Sequence, residues 1–419
     1  MKMVASTEIK FFVHSNNNAP QLQNAYGSMI GVLDACLVNG VSLGLVSTLT
    51  AVGTTVTAVF SASHNLMQYQ VIKIVGANQA EYNGEHRILT VPNATSVTFQ
   101  LVSAPSVTTA TGSITASLPP LGWEKPFSST NVNGGGKAAY RSKNTLLPSR
   151  PFLRVVDELD PAYTATYAKF AKVGIVEDMT GIDTLLGVQA PYDSTSVDKN
   201  WVGTGTGTAV LNGWAKWYYA TNIAANSSFS ETTTPASGNR TWILIGSADY
   251  FYILPATNID SVVKNPYGFG AFDSLLQSDA SANFLSAAYD YRAASSSATR
   301  SSFMSTTSSS GTYLLLQRAY SQAAQFKIAS CFGLGAASTI NSGTTNYIGS
   351  VALNSIAPFS PVYINEDVLR GMLKNLYWLY QASPYTNLQI IENNGQLFIA
   401  ITASAQSSMG QVVLKIGEL

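Results

Sequence analysis

Side chains that commonly carry out catalysis are scarce in this chain of 419 residues. Its three histidines are His14, His64 and His86, and no G-x-S-x-G turn places a serine beside a usable one of them. No H-E-x-x-H or C-x-x-C zinc motif occurs, and Cys36 and Cys331 are too few for a disulfide framework. The sequence therefore predicts no catalytic or metal-binding residue of these types.

Two groups of acidic residues are candidates for acid–base chemistry, because paired carboxylates cleave glycosidic bonds. The groups are Asp157, Glu158 and Asp160, and Glu177, Asp178 and Asp183. Arg150, Arg154 and Lys172 are their expected partners, and no D-x-D-x-D-G calcium loop occurs. The sequence favours turn capping and ion pairing, with a glycan-cleaving site and a bound Ca²⁺ as the alternatives.

Aromatic residues form two dense groups that could pack at a subunit interface or stack on sugars. The candidate contact residues are Trp214, Trp217, Tyr218, Tyr219, Tyr267 and Phe269. Exposed rings would contact a neighbouring subunit or a host surface glycan, whereas buried rings would belong to the core. The sequence favours core or interface over a glycan site.

Residues 333–338, G-L-G-A-A-S, follow a predicted strand and superficially resemble a phosphate-binding turn. The segment lacks the third glycine, the following lysine and the acidic residue about 20 positions on that mark a nucleotide site. We therefore expect a plain glycine turn there and no bound cofactor.

Charged residues make up 11% of the chain, against about 25% in an ordinary soluble domain, and the net charge is zero. The surface is therefore expected to be neutral and polar, which suits a subunit packed among copies of itself and argues against nucleic-acid binding. The N-terminus lacks the sustained apolar region of a signal peptide. The uncharged run 41–60 alternates as a strand does, which argues against a membrane span.

The elements that position these residues are predicted to be mostly short β-strands separated by turn residues. Predicted strands cover residues 9–13, 71–75, 87–91, 96–101, 112–116, 138–141, 152–156, 170–176, 242–246, 250–254, 313–317, 327–332, 397–402 and 411–416. Two amphipathic helices are predicted, one at 28–37 that ends before Gly40 and one at 366–380. In the second helix, Val368, Met372 and Leu376 would share one face.

Segment 61–116 looks complete in itself, with β-type runs and turns at the spacing of a small antiparallel sandwich. It resembles the small Ig-like repeat of bacteriophage tail and other virion proteins. The matching pieces are residues 64–66 (H-N-L), 71–77, 82–84 (Y-N-G), 97–99 (V-T-F) and 110–116. The resemblance covers the whole module.

A wider resemblance, to a family of uncharacterised virion structural proteins from tailed phages and prophages, spans nearly the whole chain. It rests on residues 19–40, 122–127 (G-W-E-K-P-F), 138–142 (A-A-Y-R-S), 153–158, 177–184, 242–246 (W-I-L-I-G) and 369–378. In that family the segment like 37–40 leads almost directly into the segment like 122–127, whereas roughly 80 residues intervene here. The resemblance therefore implies that the Ig-like module is an insertion, displayed from a surface loop.

What the resemblance implies is a place in the virion: a multi-copy, non-enzymatic structural protein of the tail, tail sheath, neck, collar or baseplate, assembled in the host bacterial cytoplasm. Its partners would be other copies of itself and other virion proteins. The alternatives are a receptor-binding tail adhesin that holds a host surface glycan, a capsid decoration protein and a tail-borne glycan hydrolase.

The predicted domains are 1–45, the N-terminal segment of the main domain; 46–118, the inserted Ig-like module; and 119–419, the main β-rich domain, with a subdomain boundary near 280. The predicted fold class is mainly β. It consists of a β-sandwich or barrel-like main domain with few helices and an inserted small Ig-like β-sandwich.

Overall fold

The structure is a computed structural model that describes residues 5–222, 231–259, 261–289, 313–323, 325–332, 359–379, 384–405 and 408–419. Almost every element in these ranges is an antiparallel β-strand, which confirms the predicted fold class. The glycine turn predicted at 333–338 lies outside the described residues.

Helical structure in the described residues is short. It consists of α1 (Ser28–Leu33), a π-helix (Asp34–Asn39) that continues it, and two 3₁₀ turns (Ala80–Tyr82 and Gly207–Ala209). The predicted helix at 28–37 therefore begins where expected but widens into a π-helix after one and a half turns. It ends at Gly40, as predicted, because the positive φ of 78° there suits glycine.

A seven-stranded sheet formed by residues 41–118 corresponds to the Ig-like module. The first eight strands of the chain are β1 (Lys10–Val13), β2 (Val41–Val52), β3 (Thr55–Phe60), β4 (Val71–Ala77), β5 (Gly84–Arg87), β6 (Thr90–Asn93), β7 (Ser96–Gln100) and β8 (Gly112–Leu118). The module sheet has the order β5-β4-β8-β2-β3-β7-β6. The predicted boundary at residue 45 lies inside β2, and the strand predicted at 87–91 is divided between β5 and β6.

The long strand β2 holds the module together. Its first half pairs with β8 and its second half with β3, with register shifts next to Gly44 and Ser47. Val41 and Leu43 at one end, and Leu49 and Ala51 at the other, are buried with the period of a half-buried strand, and the register shifts interrupt the alternation between them. The run 41–60 that lacks charged residues is thus two strands of this sheet, and no helix in the described residues is long and apolar enough to cross a membrane.

A second sheet, called here the middle sheet, and a large sheet make up the rest of the described chain. Their strands are β9 (Trp123–Thr130), β10 (Gly135–Ser142), β11 (Phe152–Glu158), β12 (Lys169–Gly181), β13 (Thr184–Ala190), β14 (Gly203–Thr204), β15 (Leu211–Asn212), β16 (Ala215–Ala220), β17 (Trp242–Gly246), β18 (Tyr250–Pro255), β19 (Tyr267–Ala271), β20 (Asp273–Ser274), β21 (Asn283–Ser286), β22 (Ala288–Tyr289), β23 (Tyr313–Leu316), β24 (Lys327–Phe332), β25 (Phe359–Asn365), β26 (Leu369–Leu379), β27 (Ile390–Asn393), β28 (Gln396–Ala405) and β29 (Ser408–Glu418).

The middle sheet has the order β22-β16-β12-β11-β10-β9, with β13 on the distal half of β12, and β14 pairs with β15 in a separate ribbon. The large sheet runs β1-β17-β18-β19-β21-β23-β24-β25-β26-β29-β28-β27, and β20 joins it beside β26. One apolar cluster packs the module, α1, the middle sheet and part of the large sheet together. Trp123 lies in it, donates to the Ser247 carbonyl at 2.9 Å and meets Phe251 edge to face.

The helix predicted at 366–380 is wrong, because residues 369–379 form strand β26. Strands β25 and β29 both pair with β26, so its backbone hydrogen bonds go to neighbours rather than along a helix. The apolar residues of this segment lack the period of two that predicts a strand. Asn375 has a positive φ of 58°, and the register between β25 and β26 shifts along the pair, so side chains do not alternate regularly between the two faces. Tertiary pairing outweighs a helical pattern of this length.

Candidate functional site

The six aromatic residues proposed from sequence as contacts are all buried: Trp214, Trp217, Tyr218, Tyr219, Tyr267 and Phe269. Trp217 donates its indole N–H to the Ser286 carbonyl at 2.8 Å, and its ring stacks on Tyr267. The Tyr218 backbone N–H donates to the Tyr267 hydroxyl at 3.0 Å. The structure therefore places these rings in the core, and Trp214 among them also lines a surface hollow.

Arg87 joins the Ig-like module to the rest of the chain. Its guanidinium is buried and donates to four backbone carbonyls, those of Ser6, Ile9, Tyr69 and Ile416, at 2.6 to 2.9 Å. Burial lowers the pKa of Arg87 to about 10, so the group still carries its charge at neutral pH.

Side-chain amides strengthen the same junction. Gln70 of the module donates to the Phe11 carbonyl at 3.0 Å, and Asn16 donates to the Asn65 carbonyl at 2.9 Å. The two amides also bond each other. The module is therefore docked on β1 and β29 by buried hydrogen bonds, and its insertion at a surface loop stays a prediction.

Asp157, a candidate for acid–base chemistry, is completely buried behind α1. One carboxylate oxygen accepts from the backbone N–H groups of Met29 and Ile30 at 3.0 and 3.3 Å. The other accepts from the Tyr219 hydroxyl at 2.6 Å. Burial raises the pKa of Asp157 to about 6, although these hydrogen bonds oppose the rise. Its role is to position α1 against the middle sheet, and it reaches no substrate.

We expect the Asp157→Asn variant to lose part of the pH dependence of stability. A folded-state pKa raised from 3.8 to about 6 favours the protonated form, so this contribution is complete below pH 3.8 and is lost as the pH rises through 6. The difference is about 2 kcal/mol between pH 4 and 7. Urea unfolding at a series of pH values measures it. Tyr219→Phe removes a donor to the carboxylate and should move the transition to higher pH; identical profiles for Asp157→Asn and the wild type would contradict the assignment.

Glu177, in the second acidic group, is also engaged structurally. It accepts from the Arg318 guanidinium at 2.6 to 2.8 Å and from the Val188 backbone N–H at 2.9 Å. Burial opposes ionisation, but these hydrogen bonds outweigh it and lower the pKa of Glu177. A carboxylate with a lowered pKa does not suit a general acid at neutral pH.

A cleft of about 510 Å³ opens on the outer face of the middle sheet. Its floor is formed by β11 and β12, and its walls by the β9–β10 turn, the segment after β11 and the segment between β13 and β15. The lining residues are Asn131, Asn133, Lys137, Arg154, Val156, Glu158, Leu159, Asp160, Pro161, Lys172, Asp183, Leu185, Asp198, Trp201 and Val202. The cleft thus gathers Glu158, Asp160 and Asp183, which come from both acidic groups and are separated in sequence.

Strand register brings the cations of the cleft together. Lys137 on β10 is opposite Val156 on β11, which is opposite Lys172 on β12, so the three lie side by side on one face. Lys137 pairs with Asp183 at 2.8 Å. Lys172 is buried and donates to Asp160 at 2.8 Å; burial lowers the pKa of Lys172, and Asp160 opposes that effect.

Arg154 is a buried cation of the cleft that retains an unused donor. Its Nη2 bonds Asp183 at 2.6 Å and its Nε bonds the Ile182 carbonyl at 2.9 Å. The guanidinium lies over the Trp201 ring, 4.4 Å from its centroid. The Nη1 of Arg154 and the Nε1 of Trp201 are both buried and make no hydrogen bond within the described part of the chain.

Gly174 allows the indole of Trp201 to reach this position. A Cβ at residue 174 would lie 2.6 Å from the indole ring, which is too close for any side chain. Sequence reasoning named Arg154 and Lys172 only as counter-ions, and the ion pairs with Asp183 and Asp160 are indeed present. It missed Trp201, because nothing in the local sequence indicates that a loop tryptophan lies over an arginine on β11.

The remaining reactive residues have structural surroundings. His64 Nδ1 accepts from the Leu66 N–H at 3.0 Å, and His86 stacks on Phe99 at 4.2 Å; burial lowers the pKa of both histidines. Cys36 is buried in the π-helix and Cys331 in the large sheet. Within the ranges that the structure describes, no group of three His, Cys, Asp or Glu residues could hold a metal ion.

Comparison with known proteins gives little. No protein-family model matches the sequence, and no curated protein matches it. Among solved structures, the phage phi92 endosialidase is similar at 8% identity with a TM-score of 0.15, over 90% of this chain and 51% of the endosialidase chain. This chain therefore spans about half the length of that protein. A TM-score so low carries no argument about fold or function.

Proposed function

We propose that this chain is a non-enzymatic structural subunit of a tailed-phage virion, present in many copies in the tail, neck or baseplate. Its resemblance to virion structural proteins over nearly the whole sequence motivates the proposal. The mechanism is assembly, in which neutral polar surfaces bury against neighbouring subunits and many weak contacts act together.

The observation that carries the proposal is where the few charges lie. Charged residues are rarely buried in ordinary domains, yet thirteen are buried in the described part of this chain. They are Arg87, Arg154, Asp157, Asp160, Lys169, Lys172, Asp193, Lys216, Glu231, Arg240, Lys264, Glu366 and Arg370. With 46 charged residues in the whole chain, the outer surface is left poor in charge. A surface of this kind favours association, because little desolvation of charge opposes it.

The proposal is tested by locating the chain on intact particles of the phage that encodes it. Antibody raised against the purified chain and gold-labelled should bind along the tail or just below the head in electron micrographs. Antibody against the major capsid protein is the matched control, because it should label the head and leave the tail unlabelled. Label only at fibre tips would instead indicate an adhesin, and label on capsid faces a decoration protein.

Assembly of the purified chain provides an independent measurement. We expect rings, tubes or stacked discs in negative-stain images at high protein concentration. A chain that stays monomeric at every concentration and labels no part of the particle would contradict a structural role.

A further inference from the structure

The cleft on the outer face of the middle sheet contains a donor pair that the described part of the chain leaves without acceptors. Arg154 and Trp201 are each more than nine-tenths buried and both line the cleft. Leaving a buried N–H unpaired costs about 1–3 kcal/mol, so two such groups side by side indicate a place for acceptor atoms from outside the chain. The volume of about 510 Å³ is within the range of small-molecule sites.

We propose that this cleft binds a neutral saccharide. Hydroxyl oxygens of the sugar accept from Arg154 Nη1 and Trp201 Nε1, and hydroxyl hydrogens are donated to carboxylates of the wall, among them Glu158 and Asp198. A hydroxyl both donates and accepts, which matches a wall that presents unused N–H groups beside carboxylate lone pairs. The proposal goes beyond the structural role, and none of the six aromatic residues that the sequence suggested as glycan contacts lines this cleft.

The charges of the cleft argue for a neutral ligand. Three cations, Lys137, Arg154 and Lys172, face four carboxylates, so the wall is close to neutral with a slight negative excess. The carboxylates would repel an anionic ligand. The two buried cations, Arg154 and Lys172, are already paired with Asp183 and Asp160. A cationic ligand could not accept from the two unused N–H groups.

The neighbouring surface leaves room for a chain of sugars. A more open hollow of about 840 Å³ adjoins the cleft and shares Asp198 and Val202 with it. Thr195, Ser196 and Lys199 line this hollow with further hydroxyl and ammonium groups. An oligosaccharide could therefore extend from the cleft across the segment between β13 and β14.

Both unused N–H groups are buried, so the side chains must adjust when a ligand oxygen reaches them. The indole of Trp201 should report that adjustment. The chain has six tryptophans, and the indole N–H signal that disappears from the ¹H–¹⁵N spectrum of Trp201→Phe identifies the Trp201 resonance. The probes are two neutral oligosaccharides, maltohexaose and chitotetraose, and one anionic chain, oligogalacturonate.

We expect a saturable shift of the Trp201 indole signal with at least one neutral probe and none with oligogalacturonate. Trp201→Phe and Arg154→Lys should each weaken binding, measured by calorimetry, by about tenfold, the equivalent of one hydrogen bond. Arg141→Lys is the matched control, because Arg141 also lies over a ring, that of Phe152 at 4.7 Å, but outside the cleft. It should leave the affinity unchanged.

Two results would overturn the proposal. One is the absence of any shift at Trp201 with both neutral probes up to about 20 mM. The other is a shift with oligogalacturonate alone. In the spectra, Trp201→Phe serves only to assign the signal. A wild-type spectrum in which none of the six indole signals shifts with a neutral probe overturns the proposal whether or not either variant folds. The location of the chain on the particle is independent of either result.

Discussion

Replacing Arg87 by Met is expected to lower the free energy of unfolding by about 3 kcal/mol. The substitution leaves four backbone carbonyls without their donor in a buried junction, at about 1–3 kcal/mol each. Removal of a desolvated cation offsets part of this loss, since the hydrogen bonds of Arg87 go to carbonyls and not to a carboxylate. The loss at the carbonyls exceeds the gain from removing the cation, because four groups lose their donor and only one charge is removed.

Urea unfolding monitored by tryptophan fluorescence measures the change in stability, and limited proteolysis without urea measures local opening of the module. Loss of the junction should let the module open independently, so the linkers near Gly40 and residues 119–121 should be cleaved faster than in the wild type. Lys73→Met is the matched control, because Lys73 is an exposed cation on β4 of the same module and should change stability by about 0.5 kcal/mol or less. Equal stability of Arg87→Met and the wild type would show that Arg87 does not anchor the module.

Strand composition explains why so much of the fold was predictable from sequence. In β2 and β3, alternate apolar and Ser or Thr residues carry a period of two, and the structure has strands there. Glycine at 40 ends the helical segment as expected, because its positive φ is costly for other residues. Such signals are local, so a single sequence contains them.

The sequence alone does not predict which strands pair or which distant residues bond each other. β26 looks helical when its neighbours are ignored, and only its hydrogen bonds to β25 and β29 decide its structure. Arg87 gave no sign that its acceptors come from both ends of the chain, at Ser6 and Ile416. These contacts join residues up to 329 positions apart, and no local pattern encodes them.

The candidate cleft was missed for the same reason. Arg154 and Lys172 were recognised as counter-ions, because acidic residues lie near them in sequence. Trp201, however, reaches Arg154 only because β12 presents a glycine at 174 beneath the indole. The unused N–H groups of this pair are a property of three-dimensional packing that no local sequence pattern encodes.

The buried ion network at the start of β26 should be as sensitive as the module junction. Arg370 is fully buried and forms two hydrogen bonds of 3.0 Å with Asp279, while a further N–H bonds Glu366. Burial works against ionisation of Asp279, but the hydrogen bonds from Arg370 and Ser274 outweigh it and lower its pKa. The guanidinium of Arg370 is therefore the counter-ion of both buried carboxylates, Asp279 and Glu366.

Arg370→Met is expected to destabilise the fold by about 3–5 kcal/mol, because it leaves two buried carboxylates without a counter-ion. Adding Asp279→Asn and Glu366→Gln to this variant should restore most of the loss, since the uncompensated charges are then removed. Lys327→Met is the matched control for loss of an exposed ion pair. Lys327 pairs with Asp367, the residue after Glu366, and both side chains are exposed. This variant should lose about 1 kcal/mol or less of its free energy of unfolding. Urea unfolding of the four proteins separates charge burial from loss of packing, because a triple variant no more stable than Arg370→Met would assign the effect to packing alone.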